Sequence, residues 1–373
     1  MNTVEYASVA GQMEQMLRGY FVAQALFVAA RLGIADLLAQ GERTAGALAG
    51  ATGVDADALH RMLRALASEG IFEEIPAAGG TGETGRGESR FGLTPLGHLL
   101  RSDVEGSMRP AALIAGETQY KVWAVFKDAI KHGSGNAEAP GSGRATGFER
   151  IFRKPLFEFL AEHPDIYSVF NAAMSQRVRL MREALLEVCT LRAGETAVDI
   201  GGGLGSVIAA LLEKYPHARG ILFDTRRVID QAKEILQSSP VAARLAFVAG
   251  DFLLDAKNPA NADSSPAGDK PGAAVPHGDV MILASVLHMV QDATALHILK
   301  NCRLSLAAGG RLYVVETLLR PPNEPDAAKW QDLNMMLMVG GRERTFDEYA
   351  NLLRQAGFSQ VERRAEIVVA RRS

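Results

Sequence analysis

From residue 194 onward, the sequence alternates short apolar segments with longer segments whose apolar residues recur at helical spacing. Short apolar runs bounded by turn residues are typical of buried strands; here they are TAVDIG, GILFD, LAFVAGD, DVMILAS and RLYVVET. Parallel strands must be joined by long crossover connections, which are usually helices. The alternation therefore predicts an α/β fold in residues 191–373, with a mainly parallel sheet covered by helices on both faces.

The N-terminal part of the chain has a different pattern, which predicts only helices up to Gly70. Apolar residues recur at helical spacing over residues 8–40. Two more helices are predicted on either side of a turn at Gly53. The first begins at Thr44, and the second runs from an N-cap at Asp55 to a C-cap at Gly70. This region is therefore predicted to contain a helix-turn-helix unit.

The next two segments, IFEEI and SRFGLT, predict the strands of a hairpin joined by a glycine-rich tip at residues 78–88. A helix-turn-helix unit followed by a hairpin has the outline of a winged helix. Residues 1–101 contain 8 arginines, no lysine and 11 acidic residues. A module that reads DNA shows the opposite balance. We therefore favour a packing and dimerisation module over a DNA-binding module that senses a ligand.

The length of 373 residues predicts two or three structural units. A hydrophobic fraction of 47% with 22% charged residues is ordinary for a chain that buries a large core. Residues 105–190 are predicted to be largely helical, with a glycine-rich break at residues 133–147. We place the domain boundaries at residues 1–105, 106–190 and 191–373, the middle segment being a helical linker that covers the substrate.

Several features bear on compartment and partners. The net charge of −3 disfavours nucleic-acid binding. The composition of the segment between Asp255 and His277 predicts a flexible surface insert. Cys189 and Cys302 are the only cysteines, which suits a reducing compartment and excludes a thiolate metal site. The first residues do not resemble a signal peptide, and no apolar run reaches the length of a membrane span. We predict a cytoplasmic protein with no metal.

A glycine-rich turn follows the first strand of the α/β region. Asp199 precedes glycines at positions 201, 203 and 205, which lets a ligand approach bare backbone. A purely structural tight turn and a dinucleotide site are the alternatives. However, the spacing D-x-G-x-G-x-G differs from the G-x-G-x-x-G that suits a pyrophosphate. S-Adenosylmethionine has cationic ammonium and sulfonium groups and no phosphate, so a carboxylate beside the turn favours this ligand over NAD.

The second and third strands also end in acidic residues. Asp224 ends GILFD, where a carboxylate accepts hydrogen bonds from ribose hydroxyls. Asp251 and Phe252 follow the third strand, where the acid suits the adenine amino group and the ring suits the adenine face. Each acid alone is more often a solvated loop residue. Together they predict a cofactor site at the carboxyl edge of the sheet.

His288 follows the fourth strand at the same edge and is the candidate general base. Glu316 ends the fifth strand and Glu343 precedes the last helix. A carboxylate beside an imidazole fixes its tautomer and balances the charge it gains on protonation. The alternative is a structural histidine with two surface acids.

Aromatic and methionine-rich segments are candidates for the acceptor pocket, although such clusters usually fill cores. The residues selected as substrate-binding are Tyr120, Trp123, Phe157, Asn334, Met335 and Met338, with Phe152 as a further candidate.

These motifs, taken together, resemble the bacterial and plant small-molecule O-methyltransferases over nearly the whole chain. The segments that carry the resemblance are DIGGGLG, FD at 224, GDF at 251, VLH at 288, Asn301-Cys302, AAGGRLYVVE, DLNMM and GGRERTFDEYANLLRQAGF. The resemblance implies a class I Rossmann-like methyltransferase sheet of seven strands, the last antiparallel, with an N-terminal winged-helix dimerisation domain. It further implies a homodimer that uses S-adenosylmethionine and releases S-adenosylhomocysteine.

The resemblance also assigns roles to individual residues. Gly201, Asp224, Asp251 and Phe252 would bind the cofactor, His288 would be the base between Glu316 and Glu343, and Met174 would lie near the methyl donor. Ser285 is added to the cofactor set, because the family often has a cationic side chain at this place.

This chain departs from the family pattern beside the base. Met289-Val290 stands where the family usually has Asp-Trp, and Ala284-Ser285 replaces the frequent cation. The predicted reaction is methyl transfer to a hydroxyl of a small aromatic or heteroaromatic acceptor of secondary metabolism. The alternatives are N-methyl transfer, a non-methylating reaction of a relative, and a winged-helix regulator.

Overall fold

The computed structural model describes residues 3–76, 89–133, 145–254 and 274–373. The predicted hairpin tip and much of the predicted insert after Asp255 lie outside these residues. The chain divides into two compact units, and the segment that we assigned to a linker contributes to both. One unit comprises Met1–Ala124 and Leu160–Gln176, and the other comprises Val125–Phe159 and Arg177–Ser373. Among the described residues, no helix has the length and apolarity needed to cross a membrane.

The first unit contains the predicted helix-turn-helix and hairpin. Its N-terminal elements are α1 (Thr3–Arg31), α2 (Ile34–Leu38), β1 (Arg43–Thr44), α3 (Ala45–Thr52), α4 (Ala56–Ser68), β2 (Phe72–Ile75), β3 (Arg90–Leu93) and α5 (Pro95–His98). The three strands pair antiparallel in the order β1-β3-β2. Asp55 caps α4 as predicted, and Thr44, where the first helix was predicted to begin, is the N-cap of α3; each accepts a backbone N–H with its side chain. The winged-helix outline is thus confirmed.

The predicted C-cap of α4 is displaced by one residue. Glu69 is the C-cap, and Gly70, with φ of 73°, is the residue after it. The left-handed conformation that favours glycine belongs to the residue that follows the cap, which is why the glycine stands there.

The region between the winged helix and the main sheet is largely helical, as predicted. Its helices are α6 (Arg109–Ile114), α7 (Tyr120–Trp123), α8 (Phe126–His132), α9 (Gly147–Phe152), α10 (Leu156–Glu162) and α11 (Pro164–Val188). A π-helical turn, Ala115–Gln119, joins α6 to α7. Thr146 and Glu149 form a capping box at the start of α9, which ends at Arg153 in the left-handed conformation. α9 packs against a later helix, Ala327–Met338, within the second unit.

The second unit contains the predicted α/β sheet. Its strands are β4 (Thr196–Ile200), β5 (Arg219–Asp224), β6 (Leu245–Ala249), β7 (Gly278–Ala284), β8 (Leu306–Val315), β9 (Ser359–Arg364) and β10 (Ile367–Arg371). The described residues form a seven-stranded sheet in the order β6-β5-β4-β7-β8-β10-β9. The first five of these strands are parallel, and β10 is antiparallel to both of its neighbours. The prediction of an antiparallel last strand is confirmed.

Helices cover both faces of this sheet. The helices that pack in the two cores are α12 (Ser206–Lys214), α13 (Arg226–Leu236), α14 (Asp292–Ser305) and α16 (Phe346–Gln355). The unit also contains α15 (Ala327–Met338) and short 3₁₀ turns at Ala242–Arg244 and Leu287–Met289. Side chains of β7 alternate between the two cores. Met281 and Leu283 pack with α14 and α16, whereas Val280 and Ile282 pack with α12 and α13. This alternation explains why the strand reads as a continuous apolar run.

The parallel strands bring the predicted site residues to one edge of the sheet. Gly201 follows β4, Asp224 ends β5, Ser285 follows β7 and Glu316 follows β8. In open α/β sheets, ligands bind outside the carboxyl ends of the strands. The topology therefore places the candidate site at this edge.

We predict that Ile282→Ala lowers the free energy of unfolding by about 2–5 kcal/mol, because it leaves a cavity between strand and helices. Ile282 is fully buried in β7. The matched control is Ile235→Ala in α13, where the side chain is 55% exposed and the expected change is within about 0.5 kcal/mol. Urea denaturation at one fixed protein concentration measures both changes. Equal losses in the two variants would contradict the assigned core.

Candidate active site at the carboxyl edge of the sheet

The glycine-rich turn after β4 has left-handed backbone at three of its glycines. Gly201, Gly203 and Gly205 have φ of 66°, 58° and 80°, and Gly205 is the N-cap of α12. Gly201 donates its N–H to the carbonyl of Phe223 at 2.8 Å, which ties the turn to β5. Side chains rarely adopt these φ values, so the sequence needs glycine here. The turn thus presents backbone alone at the end of the strand.

Asp199 lies fully buried beneath this turn. Neither of its carboxylate oxygens has a hydrogen-bond partner among the described residues. Burial raises the pKa of Asp199 from 3.8 to about 7; the nearby backbone N–H of Ile208 opposes the shift and Asp224 adds to it. A Cβ at Gly202 would lie 2.5 Å from the Asp199 Cγ. Gly202, which sequence reasoning did not select, is therefore required by the acid below it.

Asp224 ends β5 and holds the turn from the other side. Its Oδ2 accepts the Gly203 N–H at 2.9 Å and its Oδ1 accepts the Thr225 N–H at 2.7 Å. Burial raises the pKa of Asp224, and these two backbone N–H groups oppose the shift. A carboxylate has about four lone-pair sites, so two remain for a ligand hydroxyl. The structure thus fixes this acid in place beside the glycine turn.

The turn after β6 carries Asp251 and Phe252. The Asp251 Oδ1 accepts the Leu253 N–H at 2.8 Å, which closes a local turn. The Phe252 ring faces the glycine turn, because its Cε1 would lie 3.7 Å from a Cβ at Gly201. Val286 is closer still, since its Cγ2 would lie 2.9 Å from the same Cβ. These contacts bring the ends of β4, β6 and β7 together around Gly201.

Ser285 follows β7 in a conformation that is unusual for serine, with φ of 57°. Its N–H donates to the carbonyl of Val315 at 3.1 Å, and its Oγ lies 3.3 Å from the Met181 sulfur. A left-handed residue here turns the chain sharply out of the sheet. The residues after Ser285 therefore fold back across the carboxyl edge, and His288 comes with them.

His288 lies between two buried glutamates. It is 6% exposed, in the 3₁₀ turn after β7, and its Nδ1 is 3.0 Å from the Glu343 Oε1 and 3.5 Å from the Glu316 Oε2. Ionised carboxylates only accept hydrogen bonds, so Nδ1 carries a hydrogen, and in the neutral imidazole the lone pair is then on Nε2. The three residues that the sequence selected as catalytic thus lie in contact.

Glu316 also shapes the backbone before His288. Its Oε1 accepts the N–H groups of Val286 at 2.9 Å and Leu287 at 2.7 Å. Burial raises the pKa of Glu316; His288 and these two N–H groups oppose the shift, whereas Glu343 adds to it. One carboxylate therefore orients both the turn and the imidazole that the turn carries.

Glu343 is held by residues that sequence reasoning did not select. Its N–H donates to the Asp332 Oδ1 on α15 at 2.8 Å. The preceding residue, Arg342, donates its N–H to the carbonyl of His288 at 2.9 Å. A Cβ at Gly341 would lie 2.1 Å from that same carbonyl oxygen. Gly341, the second glycine in the sequence GGRERT, therefore permits this close approach.

Arg344 is the most deeply buried cation of the described residues, at 0% exposed. Its guanidinium donates to the carbonyls of Leu287 and Val290, both at 2.8 Å, and to the Asp292 Oδ1 at 2.9 Å. It also lies over the Tyr349 ring, 5.6 Å from the centroid. The guanidinium thus holds the backbone on both sides of His288. Only its place beside Glu343 in GGRERT could have indicated this role.

The remaining selected residues divide between the two units. Tyr120, Trp123 and Met174 belong to the first unit, and their roles stay predictions. The others belong to the second unit and are Phe157, 52% exposed, and Asn334, Met335 and Met338 on α15. Because α15 also carries Asp332, this helix is tied directly to the Glu343 backbone.

Known families match nearly the whole chain. The O-methyltransferase domain family matches residues 123–359, and the O-methyltransferase dimerisation domain family matches residues 14–103.

Individual relatives and a solved structure agree with these matches. The chain is 38% identical over 345 residues to the phenazine O-methyltransferase PhzM of Lysobacter antibioticus, covering 92% of this chain and 89% of that protein. It is 31% identical over 360 residues to the phenazine-1-carboxylate N-methyltransferase of Pseudomonas aeruginosa, covering 96% and 94%. The structure of CalO1, a methyltransferase in calicheamicin biosynthesis solved in its SAH-bound form, matches with a TM-score of 0.75 and 28% identity, covering 100% of both chains.

We predict that Asp199→Asn flattens the dependence of stability on pH. Because the pKa of Asp199 is about 7 in the folded protein and 3.8 is its ordinary value, unfolding releases a proton between these values. The contribution of Asp199 to stability is therefore full below about pH 4 and falls by a few kcal/mol as the pH rises to about 7, since one pKa unit equals about 1.4 kcal/mol. The variant should gain stability relative to the native protein between about pH 4 and about pH 7 in urea denaturation.

The control for this prediction is Asp230→Asn, because Asp230 is exposed on α13. Its stability difference from the native protein should stay constant over the same range of pH. Parallel curves for the native protein and the Asp199 variant would contradict the raised pKa.

We predict that Arg344→Lys lowers the free energy of unfolding by about 2–4 kcal/mol, because each buried hydrogen bond that is lost costs about 1–3 kcal/mol. A lysine keeps the charge but cannot reach both carbonyls and Asp292 with one planar group. Arg342→Lys is the matched control, since this neighbour is 40% exposed and lies 3.4 Å from the same Asp292. Its change should stay within about 0.5 kcal/mol. A similar loss in both variants would show that burial of Arg344 is not the cause.

Proposed function

Because the chain belongs to the O-methyltransferase family that carries an N-terminal dimerisation domain, we propose that it methylates a hydroxyl group of a small aromatic or heteroaromatic acceptor, with His288 as general base. It is a methyltransferase that depends on S-adenosylmethionine, and the released product is S-adenosylhomocysteine. The observation that carries the proposal is the contact of His288 with Glu343 and Glu316 beside the glycine turn.

The residues at the sheet edge fit this cofactor. When bound, S-adenosylmethionine supplies an electrophilic methyl group on a cationic sulfur. The buried carboxyl group of Asp199 has no described hydrogen-bond partner, so it complements a cationic ligand at the turn above it. Gly203 has open space where a Cβ would lie, and its left-handed backbone leaves room for the ligand. Asp224 retains lone pairs for the ribose hydroxyls, and Asp251 and Phe252 would hold the adenine.

His288 would act on the acceptor through Nε2. The carboxylate of Glu343 holds the hydrogen on Nδ1, so the lone pair of the neutral ring is on Nε2, the nitrogen that would take the proton of the acceptor hydroxyl. The imidazolium that forms is then stabilised by Glu343 and Glu316, both within 3.5 Å of the ring nitrogen. Alignment of donor and acceptor supplies more of the rate, about 7–11 kcal/mol in well-oriented systems.

We assign the acceptor to the surface of α15, within the second unit. Asn334 and Met338 are buried on this helix, and Met335 is half-buried. Flexible thioethers adapt to flat ring systems. Phe157 would contribute to this acceptor surface, and Ser285 would lie near the methyl donor. The roles of Tyr120, Trp123 and Met174 stay predictions from the sequence. Since the Lysobacter relative acts on a phenazine, a hydroxyphenazine is the first acceptor to test.

The active form is proposed to be a homodimer assembled through the N-terminal domain. α1 exposes large apolar side chains that a monomer would leave in water, namely Met13, Met16, Leu17, Tyr20 and Phe21. The dimerisation family match begins at residue 14 and covers the rest of this helix. We place the enzyme in the cytoplasm because both cysteines are buried free thiols. No nucleic-acid or membrane partner is proposed.

N-methyl transfer is the second candidate, and the Pseudomonas relative, an N-methyltransferase, favours it. A ring nitrogen has no proton to lose, so this reaction would need no base. The acceptor screen should therefore include 1-hydroxyphenazine and phenazine-1-carboxylate with deuterium-labelled cofactor, read by mass spectrometry. Labelling of the hydroxyl supports the proposal. If only a ring nitrogen is labelled, O-methylation is contradicted and N-methylation takes its place. If neither the hydroxyl nor a ring nitrogen is labelled, a phenazine-type acceptor is contradicted.

We predict that His288→Ala lowers kcat with 1-hydroxyphenazine by about 10²–10⁴-fold, as for the loss of a general base. The dissociation constant for S-adenosylhomocysteine, measured by calorimetry, should stay unchanged, because the imidazole acts on the acceptor. His277→Ala is the control, since His277 is exposed just before β7. If His288→Ala keeps the native kcat, His288 is not the general base.

A further inference from the structure

Two side chains on one face of α14 hold the turn that follows β6. Asn301 is 2% exposed, and its Nδ2 donates to the carbonyls of Phe252 and Leu254, both at 3.0 Å. His297, one helical turn earlier, has its Nε2 2.9 Å from the carbonyl of Leu253. Three consecutive carbonyls are therefore bound by two side chains of a single helix.

The chemistry of these contacts fixes the state of both side chains. A carbonyl only accepts hydrogen bonds, so the Nε2 of His297 must carry a hydrogen. The amide nitrogen of Asn301 has two hydrogens, and each of them faces one carbonyl. Asn301 Nδ2 also lies 3.3 Å from His297 Nε2, a close approach of two donors. Asparagine suits this position because aspartate has no donor and leucine has no polar atom.

The turn that these side chains hold carries the residues that we assign to adenine. Asp251 closes the turn by accepting the Leu253 N–H, and the Phe252 ring faces Gly201. The ring direction follows from the backbone at Phe252, and Asn301 binds the carbonyl of that residue. The amide of Asn301 is thus connected to the cofactor site through one backbone group and one ring.

We propose that Asn301 is a positioning residue for cofactor binding, which acts through Phe252 and is supported by His297. The proposal rests on the proposed function in one respect, the assignment of Asp251 and Phe252 to adenine. Asn301 touches neither the reacting methyl group nor the acceptor. Its loss should therefore weaken binding of the adenosine part of the cofactor.

The test is calorimetry with two probes, S-adenosylhomocysteine and 5′-methylthioadenosine, on the full-length protein. Asn301→Leu and Asn301→Asp should each raise both dissociation constants by about tenfold, as loss of the groups that orient a ligand-binding residue does elsewhere. His297→Leu should raise them less, by about threefold, because one hydrogen bond is lost rather than two. Asn351→Asp is the control, since Asn351 is exposed on α16, and it should leave both constants unchanged.

A double-mutant cycle separates positioning from a general structural role. In a Phe252→Leu background, Asn301→Leu should cause no further loss of affinity, because the ring through which it acts is already absent. If Asn301→Leu binds both probes with native affinity but has a lowered thermal midpoint, the proposal is overturned. It is also overturned if the losses of affinity of the two single variants multiply in the double variant. Native protein that binds neither probe would instead refute the proposed function. If Phe252→Leu alone binds normally, the adenine assignment fails, and positioning through Phe252 fails with it.

Discussion

The carboxylate of Glu316 links two neighbouring strands at the edge where the site forms. It stands directly after β8 and accepts the N–H groups of Val286 and Leu287, which lie in the turn after β7. Both amides are buried, so each would be costly without a partner. Hydrogen bonds to an ionised carboxylate are among the strong ones. Since His288 is the next residue, this interaction fixes the start of the turn that carries the imidazole.

Charge balance at this edge involves more than the catalytic residues. Glu316 and Glu343 are two buried acids beside a histidine, and Arg344 is buried next to them. Replacing a buried ion pair by apolar residues is often neutral or stabilising, so such groups are weak evidence of stability. Asp199 is a further unfavourable group, because burial raises its pKa to about 7. The buried charged groups at this edge of the sheet therefore lower stability and give the site a fixed electrostatic environment, as is common at ligand sites.

The sequence predicted the elements whose signals are local. Apolar runs predicted the parallel strands, and the glycines after β4 predicted the ligand turn. The contact of His288 with Glu343, 55 residues apart, was predicted from the chemistry that a base needs and from the family resemblance, since no local pattern encodes it. Gly202 and Arg344 were missed for a physical reason. Gly202 is required by the packing of Asp199 beneath it, and Arg344 matters through carbonyls that any sequence would offer.

The carbonyls that Arg344 binds explain why the sequence after His288 can depart from the family pattern. Met289 and Val290 stand where relatives usually have Asp-Trp, and both pack against the apolar core. The backbone of the turn is held independently of their side chains, because Arg344 binds the carbonyls of Leu287 and Val290. The N–H of Arg342 binds the carbonyl of His288 itself. The orientation of the base is thus specified by the segment that supplies Glu343, which leaves positions 289 and 290 free to be apolar.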